Sequence, residues 1–138
     1  MDNTQREAIV TVVEGRVRSF EAAERARDPE RLIAHLASVP EFHFYHDGRR
    51  ATYALLAGGV RSALPAVRSL EVAYTDVQVS VLSTEHALVS ATFRRETVIA
   101  STGAASQSQG GVSWLWRKID ERWLIVHGHI SHPLDAAN

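Results

Sequence analysis

The last third of the chain constrains the fold most. Val112–Pro133 reads Val-Ser-Trp-Leu-Trp-Arg-Lys-Ile-Asp-Glu-Arg-Trp-Leu-Ile-Val-His-Gly-His-Ile-Ser-His-Pro. Runs of about eight β-favouring residues flank Ile119-Asp120-Glu121-Arg122, a polar connection of the length that closes a hairpin. The pattern predicts the central antiparallel hairpin of a sheet, which needs neighbouring strands and a cover for its apolar face.

The preceding residues supply both. Thr4-Gln5-Arg6-Glu7 has capping-box spacing, and Ile9, Val12, Val13, Val17 and Phe20 recur at helical spacing, predicting a helix to about Arg27. Asp28 before Pro29 starts a short second helix with Leu32, Ile33 and Leu36 on one face. Glu41–His46 alternates, with Phe42, Phe44 and His46 on one side and His43 and Tyr45 on the other, until Asp47-Gly48 turns the chain. Thr52 caps a third helix carrying Leu55, Leu56, Val60 and Leu64, in which Gly58-Gly59 predicts a bend or lid and Pro65 the end. From about Arg68 the period becomes two: Val77, Val79 and Val81, then Ala87, Val89, Ala91 and Phe93, predict two long strands joined near Ser83-Thr84-Glu85. Ser101–Gly111, small, polar and glycine-rich, reads as a flexible loop.

Helices first and strands afterwards predict an α+β domain spanning residues 1–138, three helices covering a mainly antiparallel sheet. At 138 residues and 45% hydrophobic content the chain can bury its own core. A net charge of −1 argues against nucleic acid and anionic membranes as partners. Absence of cysteine excludes disulfides, thiolate nucleophiles and cysteine-ligated zinc. The charged start lacks a signal-like apolar core and no run reaches the roughly 20 apolar residues of a membrane span, so a cytoplasmic protein is expected.

The order of elements, Asp47-Gly48 ahead of the third helix and the ending Trp116-x6-Trp123-x-Ile-Val-His127-x-His129-x-Ser131 resemble the SnoaL-like branch of the nuclear transport factor 2-like superfamily. The likeness is strongest to the group containing the association domain of calcium/calmodulin-dependent protein kinase II. It implies a cystatin-like cone, in which a curved sheet wraps a long helix, with a pocket at the open end and a homodimer through the sheet's outer face. The superfamily holds isomerases, polyketide cyclases, dehydratases, epoxide hydrolases and assembly modules, so it does not fix the activity. The oxyanion-hole tyrosine and the base of its ketosteroid isomerases fall at Phe20 and at or beside Tyr45, and neither position carries the needed group. The arginines lining the association domain's carboxylate pocket fall at Phe93, Trp114 and Ile130, so that anion site is missing.

Strand alternation places Val89, Ala91, Phe93, Trp114, Trp116, Leu124, Val126 and Ile130 on the inner wall, with Phe20 and Tyr53 completing a pocket lining. Arg95 and Thr97 are then the polar groups nearest the mouth. The same parity puts Trp123, Ile125, His127, His129 and Ser131 on the outer, dimer-forming face, and one β-bulge would reverse it. A small hydrophobic molecule is the expected ligand. The expected chemistry, needing no cofactor, is isomerisation, cyclisation or dehydration, with Tyr45 or His46 as acid or base, Arg95 as electrostatic stabiliser and Trp114 as platform. The alternatives are a non-catalytic association or ligand-sensing module and a metal enzyme using His127 and His129. The last is disfavoured because zinc sites take three or four ligands and no carboxylate shares that strand.

Overall fold

The computed structural model describes residues 1–134. It opens with α1 (Asn3–Arg25), whose cap is Asp2 rather than the predicted Thr4. The Asp2 carboxylate accepts from the Gln5 N–H at 2.8 Å while the Gln5 side chain accepts from the Asp2 N–H at 3.0 Å, a reciprocal box that brings Asn3 and Thr4 into the helix. Val13, Val17, Phe20 and Ala23 form its buried stripe. Then come α2 (Pro29–Ile33), capped by Asp28 as predicted, and β1 (His43–His46). Asp47 and Gly48 both have positive φ, 48° and 86°, the backbone of a two-residue turn into β2 (Arg49–Ala51), a strand the sequence did not reveal.

Thr52 caps α3 (Tyr53–Ala63), which continues through Gly58 and Gly59 and ends in a 3-10 turn around Pro65. Bidentate hydrogen bonds from Arg61 to Glu30, at 2.9 and 3.0 Å, hold α3 to α2. β3 (Val67–Ser83), β4 (His86–Ile99), β5 (Ala105–Ile119) and β6 (Arg122–Ser131) complete a six-stranded sheet of order β2-β1-β6-β5-β4-β3, antiparallel except where β1 runs parallel to β6. Three helices followed by a mainly antiparallel sheet give the expected α+β architecture. Among the described residues no helix is long and apolar enough to cross a membrane.

The central hairpin is closed by Asp120 and Glu121 alone, both with positive φ of 49° and 64°, a turn whose twist matches that of the strands. The predicted loop over Ser101–Gly111 is mostly strand. Residues from Ala105 onward pair with β4, Thr97 shares a hydrogen bond with Ser106 at 2.7 Å, and Gln107 donates to Glu96 at 3.3 Å. A waiting partner strand outweighs weak intrinsic β-propensity.

Two bulges control the faces. In the β5–β6 pairing Leu115 lies opposite His127 and Trp116 opposite Ile125, leaving Val126 unmatched. Trp123 and Ile125 therefore join the main core with Trp116, instead of standing on the outer face. Leu124 and Val126 move out of the expected inner wall and pack with Ala37 in a separate cluster. Beyond the bulge the predicted parity resumes, with Gly128 and Ile130 buried. A side chain at Gly128 would collide with the Phe44 ring, which lies directly over it. In β3 the register shifts between Thr75 and Gln78 around Asp76 (φ 52°), so Leu70, Val72 and Tyr74 change parity with Val77 and Val79 while all five contact one core.

Edge strand β3 is covered by arginines of α1 and its end. Arg6 donates to the carbonyl of Val81, Arg18 to that of Tyr74, Arg25 to that of Val72 and Arg27 to that of Val67. These bonds occupy acceptors that would otherwise template strand addition.

Buried His35 ties α1 to the segment after α2. Its Nδ1–H donates to the Arg31 carbonyl at 2.9 Å, and Nε2 accepts from the Ser19 hydroxyl at 2.9 Å. Burial, and then the Arg16 charge, lowers its pKa from the ordinary imidazole value. Below about pH 6.5 the unfolded chain takes up a proton that the folded chain resists, so stability must fall as pH drops through that value. His127, lowered chiefly by burial, acts in the same direction. We expect the melting temperature to fall between pH 7.5 and 5.5, and His35→Gln to flatten that fall; an unchanged pH slope in the variant would contradict this account of His35.

Candidate functional site

Between α1, α3 and the concave side of the sheet lies a cavity of about 380 Å³. Its walls are apolar, with Phe20 from α1, Leu56 and Val60 from α3, and Val112, Trp114 and Ile130 from the central hairpin. Glu24, Tyr74, Arg95, Thr97 and His46 bring the polar groups to this lining.

Three of them form one buried cluster. Glu24 extends the core stripe of α1, Tyr74 points inward from β3, and Arg95 points inward from β4. Glu24 is 5% exposed and Tyr74 3%, so their polar atoms must be satisfied inside the protein. One Glu24 oxygen accepts from the Tyr74 hydroxyl and the other from the Arg95 guanidinium at 2.8 Å. Beside it the Glu21 carboxylate accepts from the Tyr74 backbone N–H at 2.8 Å and from Arg18 at 3.2 Å. Arg95 also lies over the Phe93 ring, 5.1 Å from its centroid.

The charges in this cluster cancel in pairs, Arg95 with Glu24 and Arg18 with Glu21. Burial by itself would lower the Arg95 pKa, but the Glu24 carboxylate and the Tyr74 phenol together outweigh it and the net shift is upward. Burial, reinforced by Glu24, pushes the Tyr74 phenol well above its ordinary range, which keeps it a neutral hydrogen-bond donor. A guanidinium has five N–H donors, more than Glu24 uses, and the remainder can serve a neutral oxygen on a ligand.

The expected site residues divide between two faces. The β1–β6 register sets Phe44 beside Gly128 and His46 beside Ile130, so both look into the cavity. Tyr45 pairs with His129 on the opposite face, where the rings stack at 5.8 Å, so it cannot share a ligand with His46. His43 and His127 lie on that outer face, 4.6 Å apart between centroids. Phe20, Trp114, Ile130 and Arg95 line the cavity, whereas Val89, Ala91 and Trp116 are core beneath it and Tyr53 packs edge-on against Phe42. Phe93 is buried beside Tyr74, and Ser131 is exposed. Phe20, at the isomerase-tyrosine position, makes edge contacts with Trp114 and His35, each at 5.7 Å.

Glu24 and Tyr74 were not anticipated. Glu24 continues the Val13, Val17, Phe20 spacing, and an acid on an apolar stripe signals a buried partner. Tyr74 follows Leu70 and Val72 in strict alternation.

The SnoaL-like domain family matches residues 13–135, and the chain belongs to it. Similar solved structures include a nuclear transport factor 2-like superfamily protein from Salmonella enterica serovar Typhimurium, with 18% identity over 95% of each chain and a TM-score of 0.83. Another, from Novosphingobium aromaticivorans and provisionally named a scytalone dehydratase, has 12% identity over 96% of this chain and 89% of that one, with a TM-score of 0.86. A Xanthomonas campestris protein provisionally named a calcium/calmodulin dependent protein kinase II association domain has 16% identity over 90% of this chain and 87% of that one, with a TM-score of 0.74. At these identities the likeness is one of fold. No curated protein matches the sequence.

Removing one member of the buried pair leaves the other charge stranded. Arg95→Met should cost about 3 kcal/mol or more, while Glu24→Gln combined with Arg95→Met should recover much of that loss. Denaturant unfolding of the single and double variants checks this, and additive losses would show that the two charges are not coupled.

Proposed function

We propose that the cavity binds a small, largely apolar, uncharged molecule bearing a carbonyl or hydroxyl oxygen, and that the protein acts on it by acid–base chemistry of the isomerase or dehydratase kind. The observation that carries this is the Arg95–Glu24–Tyr74 cluster, a charge-balanced set of polar groups set into an otherwise apolar lining that also includes His46. A balanced pair favours a neutral ligand over a carboxylate, while spare guanidinium donors still mark a place for an oxygen.

In this reaction class His46 takes a proton from the carbon next to a carbonyl. Charge develops on the oxygen, where Arg95 N–H groups receive it. Returning the proton to a different carbon gives isomerisation; expulsion of a β-hydroxyl, protonated as it leaves, gives dehydration and water. Trp114 and Phe20 supply flat apolar walls that hold the carbon skeleton. The open volume favours this reading over an association module whose cone is filled by side chains. The provisional dehydratase name of the Novosphingobium relative is compatible with it.

The test follows deuterium uptake at the α-carbon of small cyclic ketones in D₂O by NMR. Native protein should accelerate exchange saturably, His46→Ala should lower the rate by about 100-fold or more, and Tyr45→Phe should leave it unchanged. Saturable binding without exchange would reduce the function to ligand sensing, and absence of binding across the series would overturn the proposal.

A further inference from the structure

We propose that His46, Asp47 and His132 form a binding site for one divalent transition-metal ion at the rim of the cavity. The sequence drew attention to His127 and His129, but their strand offers no carboxylate. Among the described residues only His46, Asp47 and His132 bring three potential ligand atoms of His, Cys, Asp or Glu within 4.8 Å of one another.

The spacing suits a shared ion. Asp47 Oδ2 lies 2.8 Å from His132 Nδ1 and 3.6 Å from His46 Nδ1. Two donors on one ion at about 2.0–2.1 Å stand roughly 2.9–3.4 Å apart, depending on the angle between them. Small side-chain rotations therefore bring the set to bonding distance.

The backbone already holds the groups in place. Asp47 N–H donates to the Ile130 carbonyl at 3.0 Å, and the parallel register sets His46 against Ile130. The His132 backbone N–H donates to Asp47 Oδ1 at 2.9 Å, which orients the carboxylate and leaves Oδ2 facing the imidazoles. Phe93 fixes the His132 ring edge-on, with centroids 5.4 Å apart. Such outer contacts are what hold metal ligands in a productive orientation.

Two imidazoles and one carboxylate suit zinc, cobalt, nickel or iron(II), and disfavour magnesium or calcium, which prefer all-oxygen sites. Three protein ligands leave positions for water or for a ligand oxygen. An ion there occupies His46 Nδ1, which makes metal loading a competitor of the proposed proton transfer. The site itself does not depend on that reaction.

The experiment titrates untagged, chelator-stripped protein with cobalt(II), read by its visible absorption, and with zinc in competition. One ion per chain is expected at micromolar concentration, with affinity reduced more than tenfold in His132→Ala and in Asp47→Asn. Asparagine tolerates the left-handed backbone of Asp47 (φ 48°), so Asp47→Asn keeps the turn. A His127→Ala/His129→Ala double variant should bind like the native protein. Affinity weaker than millimolar, or binding lost in that double variant but kept in His132→Ala and Asp47→Asn, would overturn the proposal.

Discussion

The Glu24 carboxylate is the constraint on which the rest depends. A charge on the core stripe of α1 is costly unless both oxygens find donors, and those donors are Tyr74 on β3 and Arg95 on β4. This pins the helix against two adjacent strands with a defined rotation and depth. Phe20, one turn earlier on α1, is thereby set against Trp114, and the apolar walls of the cavity follow. The arginines along the edge of β3 secure the same contact from outside by taking strand carbonyls that have no neighbouring strand. One buried interaction thus joins packing, sheet protection and the polar character of the site.

The cavity inherits its chemistry from that arrangement. Arg95 brings a positive group to the lining, but Glu24 balances it, so the space is polar at one place without a net field. His46 reaches the same lining from the strand that pairs with β6, and the turn after it carries Asp47 toward His132. A hydrogen bond from His132, foremost among several contacts, holds the Asp47 carboxyl below its ordinary range, keeping it anionic near neutrality. His46, the acid–base candidate, is thus the last residue of the short parallel pairing, and the three-residue cluster forms just beyond its end.

Much of the fold was legible in the sequence because local rules and tertiary demands agreed. The Asp28-Pro29 cap, a hairpin closed within the polar stretch Ile119–Arg122 and the long strands after Arg68 all appear where spacing placed them, the turn itself narrowing to Asp120 and Glu121. The misses have physical causes. Gly- and Ser-rich residues 105–111 form a strand because β4 offers a full ladder, which propensity does not record. Val126 forms a bulge, and one unpaired residue exchanged the faces of Trp123, Leu124, Ile125 and Val126 while leaving His127, His129 and Ile130 where parity put them. The site was half legible. Arg95, His46, Trp114 and Phe20 lie on strands or stripes whose direction alternation gives, whereas Glu24 and Tyr74 meet across 50 residues and become a pair only when α1 lies on β3.

The central claim is that this cavity is an occupied binding space in the working protein, with the ligand's oxygen at Arg95. The most direct measurement is a crystal structure of the protein soaked with a small cyclic ketone. The account predicts electron density between Phe20, Leu56 and Trp114, with the carbonyl oxygen within hydrogen-bonding distance of Arg95 and its α-carbon facing His46. A cavity closed by its own side chains, or a ketone bound only on the outer face near Tyr45 and His129, would contradict it.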